Sequence, residues 1–320
     1  MASAASSILS CDRSTPPPFL DPSPTTSPRK SEPIPFQGVL KLFNYLKKIH
    51  EGEVDFVTIQ GIYYSCSTLS FFFVIFTNYN HFDISLAIFN EISNSRDRRN
   101  LKYKLDYDEE SELLIVKFPN PLHEALHMRL YHHYIFDKMG SNKQMWVNTG
   151  TTQYRAEIRG KTARKEPDSA GGPIPERHGL DKWPTLVVEV GYSESLGYLR
   201  RDMRRWFEIS KHEVKIVLLI QWDGTRRRIV IERWEEQQQE IPVTRLVPSG
   251  SAMRPVRRQV ITITREETGG TFNYVVTSGD LLLMFSLLFL RQPQGAEADI
   301  VVTVDDLKKW AEFCWAYVSI

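Results

Sequence analysis

The chain has 320 residues, enough for one large domain or two small ones. Its 40 Lys and Arg stand against 39 Asp and Glu, and 42% of residues are hydrophobic, a composition that excludes collagenous and wholly disordered chains and gives no bulk-charge sign of a nucleic-acid partner. The three cysteines, Cys11, Cys66 and Cys314, form no CxxC pair, which excludes a zinc ribbon and a disulfide framework and fits a reducing compartment.

Residues 1–35 are rich in Ser, Thr and Pro and lack the pattern of a secretory signal, so a disordered tail on an intracellular protein of the nucleus or cytoplasm is expected. Residues 36–110 form an N-terminal helical and apolar region. Within it, Val39, Leu40, Phe43, Leu46 and Ile49 fall at helical spacing. Residues 56–76 carry no charge over 21 positions, long enough for a membrane span. Thr58, Gln60, Ser65, Ser67, Thr68 and Ser70 weaken that reading; a buried helix, a strand pair or an adventitious insertion compete with it, and a membrane association is not expected.

Residues 111–235 are more regular. The pattern predicts a strand at 113–118, a helix over 121–139, strands at 144–150 and 152–158, and a Gly/Pro/charged loop over 160–182. TLVVEVG at 185–191 is a near-continuous apolar run, the mark of a strand buried on both faces. A helix over 194–210 follows, with Leu199, Met203, Trp206 and Phe207 on one face, then strands at 214–222 and 228–234. Residues 236–320 read as a β-rich extension: strands at 259–264 and 272–276, a helix at 281–290, a last strand and a closing helix capped by Asp305. Basic runs stand at 199–205, 225–228 and 254–258, and three such runs in one half suggest a groove that binds phosphate.

Glu189 is the sharpest chemical signal. A carboxylate inside VVEV is expensive to bury unless it is paired or bound to a cation. Asp168 stands in the loop before that strand, Glu124 on the preceding helix, and Arg201 and Arg205 on the following one. Two converging carboxylates suit a hard divalent cation such as Mg²⁺ or Mn²⁺, which activates water and offsets charge on a phosphate. The bland reading of Glu189 is an ion pair with a neighbouring arginine, and of Asp168 an ordinary loop aspartate.

The ordered set PDSAGGP, VVEVG, a helix containing Asp202 and the apolar strand VKIVLLIQW resembles the PD-(D/E)XK nuclease superfamily over roughly residues 115–235. It looks most like a set of fungal restriction-endonuclease-like proteins, and more distantly like a bacterial endonuclease family. The resemblance implies an α/β fold with a central mixed sheet of four to six strands flanked by helices, and Mg²⁺-dependent hydrolysis of nucleic acid, DNA above all, with no small-molecule cofactor. It implies metal binding by Asp168 and Glu189 with help from Glu124. The family has Lys two residues after the acid, where this chain has Gly191; in some relatives the basic group moves to the next helix, which points to Arg201 or Arg205. Arginine clamps phosphate but does not exchange protons near neutral pH. Arg226 to Arg228 and Arg257–Arg258 would position the nucleic-acid backbone.

Two other readings stand beside this one. The fold can persist as a binding or structural protein without catalysis. Residues 123–127 also read HEALH, the zinc-peptidase pattern that sets His123 and His127 one turn apart with Glu124 as base, although no third ligand follows at the usual spacing.

Overall fold

The computed structural model describes residues 85–318, apart from 112, 118–119, 151, 180, 193–195 and 241–250, together with the backbone of three short strands before them. These strands are β1 (Ile34–Phe36), β2 (Phe56–Gln60) and β3 (Phe71–Phe73). The expected tail and 36–50 helix otherwise lie outside the described residues. Of the uncharged run, β2 pairs antiparallel with a later strand and β3 with β1. No helix among the described residues is long and apolar enough to cross a membrane.

Helix α1 (Leu86–Arg98) starts where the Ser85 side chain accepts the Ile88 N–H, and it ends with Arg96 and Arg98 against its negative pole. Strands β4 (Lys104–Asp108) and β5 (Leu113–Lys117) follow. Helix α2 (Pro121–Glu124) is fixed by Asn120, whose Oδ1 accepts the His123 N–H at 2.8 Å, with Pro121 in the first turn. It runs on through helical backbone into a π-wound segment (Ala125–Ile135) and then a 3₁₀ segment (Phe136–Met145) that kinks at Gly140, φ 57°. Next come β6 (Trp146–Asn148), β7 (Tyr154–Ile158), β8 (Lys161–Lys165), β9 (Ser169–Pro173) and β10 (Leu186–Gly191). Helix α3 (Leu196–Ile209) leads to β11 (Ile216–Asp223), β12 (Arg228–Glu240), β13 (Ser251–Thr268) and β14 (Thr271–Thr277). The chain closes with β15 (Leu281–Leu283), α4 (Phe285–Phe289), β16 (Ile300–Val302) and α5 (Val304–Ala316).

The fold is α/β with a large mixed sheet. Its order is β14-β13-β12-β11-β10-β9-β6, seven strands rather than the expected four to six. Only β10 and β11 run parallel, joined by α3; the other neighbours are antiparallel. A second, antiparallel sheet has the order β2-β5-β4-β8-β7.

Alternation along β10 sorts its residues between two apolar clusters. Leu186, Val188 and Val190 join α2, α4, α5 and the β15–β16 pair on one face. Val187 joins Val217, Leu219, the α3 residues Leu199, Met203, Trp206 and Phe207, and Tyr154, Ala156 and Ala163 of the second sheet on the other. Burying each of the larger α3 side chains contributes about 1.5–3 kcal/mol. Glu189 therefore faces α3.

Three expectations need correction. The 160–182 loop contains β8 and β9, whose charged and Gly/Pro-rich sequences (KTARK, SAGGP) hide strands held by pairing on both sides. Residues 281–290 split into β15 and α4. The closing helix is capped by Thr303 in a reciprocal pair with Asp306, not by Asp305. Of the β-rich extension, β13 and β14 join the main sheet, while β15 and β16 form a separate antiparallel pair.

Candidate active site

The register of β9 against β10 matches Val188 to Ser169, so the next step along the pair brings Asp168 toward Glu189. Asp168 Oδ2 accepts the Val190 N–H at 2.7 Å, and its Oδ1 takes Lys104 Nζ at 2.7 Å. Glu189 Oε2 takes Lys117 Nζ at 2.9 Å, and Oε1 accepts the Trp206 indole N–H at 2.5 Å. The two sequence-predicted carboxylates thus sit side by side, Glu189 within β10 and Asp168 immediately before β9. Neither is as much as 3% exposed.

Three strands for which the sequence offered no site residue complete the cluster. Strand β4 contributes Lys104 and Asp106, β5 contributes Lys117, and β8 contributes Lys165. Lys165 Nζ lies 3.0 Å from Asp106 Oδ2, 2.9 Å from Asp202 Oδ2 and 3.6 Å from Glu189 Oε1. Lys117 Nζ also reaches Asp202 at 3.2 Å and Asp106 at 3.4 Å. Three ammonium groups therefore interleave with four carboxylates, all essentially buried. A charge left alone here would be costly, and the alternation keeps each one compensated.

Burial works against a charged Asp168, yet Lys104 and His123 hold its carboxyl well below the usual range. Burial pushes Glu189 up, against the pull of Lys117 and Lys165. Burial likewise opposes ionised Asp202, but Lys165 and Lys117 bring it down to about 2. Lys117 and Lys165 are raised despite burial by the surrounding carboxylates, and so stay protonated.

The head of α2 borders this cluster. His123 Nε2 lies 3.3 Å from Asp168 Oδ2, and its Nδ1 lies 3.4 Å from Glu124 Oε1. His127 Nδ1 shares a hydrogen bond with Ser169 Oγ at 2.8 Å, and its Nε2 lies 3.3 Å from Glu124 Oε1 without making a hydrogen bond. Both imidazoles are buried, whereas 37% of the Glu124 side chain is exposed. Burial opposes protonation of His123, but Asp168 raises it to about 9. Burial lowers His127.

The shift of His123 has a checkable consequence. Its folded value lies above the ordinary 6.5, so the His123–Asp168 pair contributes stability below pH 6.5 and loses it as pH rises through about 9. Thermal melts of metal-free protein from pH 6 to 9.5 should show a falling midpoint in that window, and His123→Gln should flatten the fall. Parallel curves for the two proteins would contradict the pairing.

Arg201 and Arg205 stand elsewhere. Arg201 is exposed, its guanidinium 4.7 Å from the Tyr198 ring centre, and Arg205 pairs with Asp108 and Glu208. Helix α3 turns Asp202 and Trp206 toward Glu189, and arginines one residue away face outward. Of the basic runs, Arg200 and Arg257 pair with Glu232, Arg226 and Arg228 with Asp223, Arg227 with Glu267 and Arg258 with Glu235. Asp202 had a legible signal, an acid on the apolar face of its helix. Lys117 ends the apolar run LLIVK, and nothing local marks Lys104 or Lys165.

No family model and no curated protein matches the chain. Among solved structures, the chain is similar to one described as a "putative nuclease belonging to DUF820" from Anabaena variabilis. The identity is 13% and the TM-score 0.30, over 45% of this chain and 83% of that one. So loose an overlap assigns neither a fold to the chain nor a role to any residue.

Proposed function

We propose that this protein is a divalent-metal-dependent phosphodiesterase that cuts nucleic acid, with DNA the expected substrate. Asp168, Glu189 and Glu124 are its carboxylate ligands. The observation that carries this reading is the pair of ammonium groups at Glu189, Lys117 at 2.9 Å and Lys165 at 3.6 Å. Phosphodiester hydrolysis at a carboxylate centre needs fixed positive charge where the phosphate becomes more negative. Gly191 leaves none on β10, and β5 and β8 supply it from the side in place of Arg201 and Arg205.

The donors fit Mg²⁺ or Mn²⁺ in kind, being carboxylate oxygens. Glu124 is the member open to solvent; Asp168 Oδ1 and both Glu189 oxygens keep a further lone pair beside their present donors, whereas Asp168 Oδ2 already faces the Val190 N–H and His123 Nε2. An ion held by these carboxylates would lower the pKa of its bound water and offset charge on the phosphate. The chain's own groups do the rest. The Val190 N–H and Lys104 fix the Asp168 carboxylate, and the Trp206 N–H fixes that of Glu189. Lys117 and Lys165, held protonated, act as fixed charges and not as bases. Exposed Arg201, Arg204 and Arg254 are available to a nucleic-acid backbone; Arg226 to Arg228, Arg257 and Arg258 would have to share themselves with their acidic partners.

Addition of Mg²⁺ or Mn²⁺ to purified protein should bring out cutting of a mixed DNA and RNA substrate, and EDTA should stop it. The absence of cutting with either ion, in protein shown to be folded, would overturn the proposal. It would favour the second reading, a nuclease-like scaffold without catalysis, for which one observation speaks: every buried carboxylate of the cluster already has a cationic partner within 3.2 Å.

A further inference from the structure

The HEALH segment is not used by the carboxylate centre beyond Glu124. Its three polar side chains nevertheless form a compact donor set. One ligand atom each from His123, Glu124 and His127 lies within 4.8 Å of the others. The two imidazoles come from the same face of the helix at i and i+4. His127 is only 2% exposed, and its Nε2 makes no well-aligned hydrogen bond although it faces Glu124 at 3.3 Å. A buried ring nitrogen without a partner is unusual in a folded protein. Its other nitrogen is engaged by Ser169, the arrangement by which metal-binding histidines are oriented from behind.

From this arrangement we infer that His123, Glu124 and His127 hold a zinc-class transition-metal ion, bound through two imidazoles and one carboxylate, the ion displacing to solvent the proton that His123 otherwise shares with Asp168. Nitrogen donors select against Mg²⁺, which takes oxygen ligands, and favour Zn²⁺ and its neighbours in the first transition series. Glu124 gives the ion its opening to solvent, and a three-residue set leaves a coordination position for water or a phosphate oxygen. The peptidase role that HEALH suggests by pattern is not part of this assignment: Glu124 is a ligand here and is not free to act as base. The site shares Glu124 with the nuclease centre but stands on the histidines, so binding of the ion is read without any nucleic acid.

The test is calorimetric titration of the full chain with ZnCl₂ and, separately, MgCl₂, repeated on His127→Gln and on Glu124→Gln. Glu124 is half-exposed, so its variant tests the site even where the buried histidine change harms folding; thermal melts check both. One Zn²⁺ per chain is expected, at least about a hundredfold tighter than Mg²⁺, with each variant weakening it at least about tenfold. Cobalt(II) in place of zinc should give the visible absorption of a low-coordinate site, lost in His127→Gln. Zinc binding no tighter than magnesium, or binding unchanged in folded variants, would overturn the inference. Tight zinc binding without cutting would leave it standing and count against the nuclease reading alone.

Discussion

Replacement of Lys165 by methionine is expected to lower stability by about 3–5 kcal/mol, because it leaves Asp106 and Asp202 buried with one counter-charge fewer. Lys165 is 3% exposed and contacts both acids at 3.0 Å or less, with the Trp206 ring centre 5.1 Å from its ammonium. Methionine keeps most of the volume, so the loss is electrostatic rather than a cavity. The double variant Lys165→Met/Asp202→Leu removes the stranded carboxylate as well and should recover part of the loss. Urea unfolding of the three proteins measures both effects. A single variant as stable as wild type, or a double variant no better than the single one, would mean that the interleaved charges do not act as one network.

The second large effect concerns Gly171, at the centre of β9, between Leu186 of β10 and Asn148 of β6. A Cβ there would run into Tyr131 Oη and Trp146 Nε1 and would come within 2.7 Å of the Val147 carbonyl. Those side chains cannot simply give way. Tyr131 Oη shares its one proton between Asn148 Oδ1 at 2.8 Å and Ala170 O at 3.0 Å, and it accepts the Trp146 indole N–H at 2.9 Å. Gly171→Ala should therefore cost about 3–5 kcal/mol, from overpacking together with broken buried hydrogen bonds. It should lower the melting midpoint by roughly 10 °C for a domain of this size. Because β9 carries Asp168 at its head, any surviving folded protein should also cut nucleic acid poorly. A melting midpoint within a degree or two of wild type would show that β9 can shift, and with it that Asp168 is less firmly placed than its contacts suggest.

The backbone of this architecture was legible where the code is local and apolar. LLIVK, LVVEVG and IVLLIQW announce buried strands by their unbroken hydrophobicity, and the α3 face announces itself by its spacing. Strands β8 and β9 were not legible, because KTARK and SAGGP become strands through pairing on both sides and not through propensity. The candidate site divides in the same way. Glu189 stands out as a charge in an apolar run, and the resemblance points to Asp168. The counter-charges could not be read along the chain, since Lys104, Lys117 and Lys165 arrive from 24 to 85 residues away in sequence through the second sheet. Arg201 and Arg205 lie much nearer in sequence but on the wrong side of α3, whose inward positions go to Asp202, Met203 and Trp206.

The most direct measurement is cleavage of DNA by wild-type protein and by Asp168→Asn, side by side with Mn²⁺, each first shown by thermal melting to be folded at the assay temperature. Asparagine keeps an oxygen for the Val190 N–H but removes the charge that Lys104 and any bound cation need. Cutting by the wild type, reduced at least about a hundredfold in the variant, is the result this account predicts. Equal cutting by both proteins would contradict it, and would place the chemistry somewhere other than the buried carboxylates of β9 and β10.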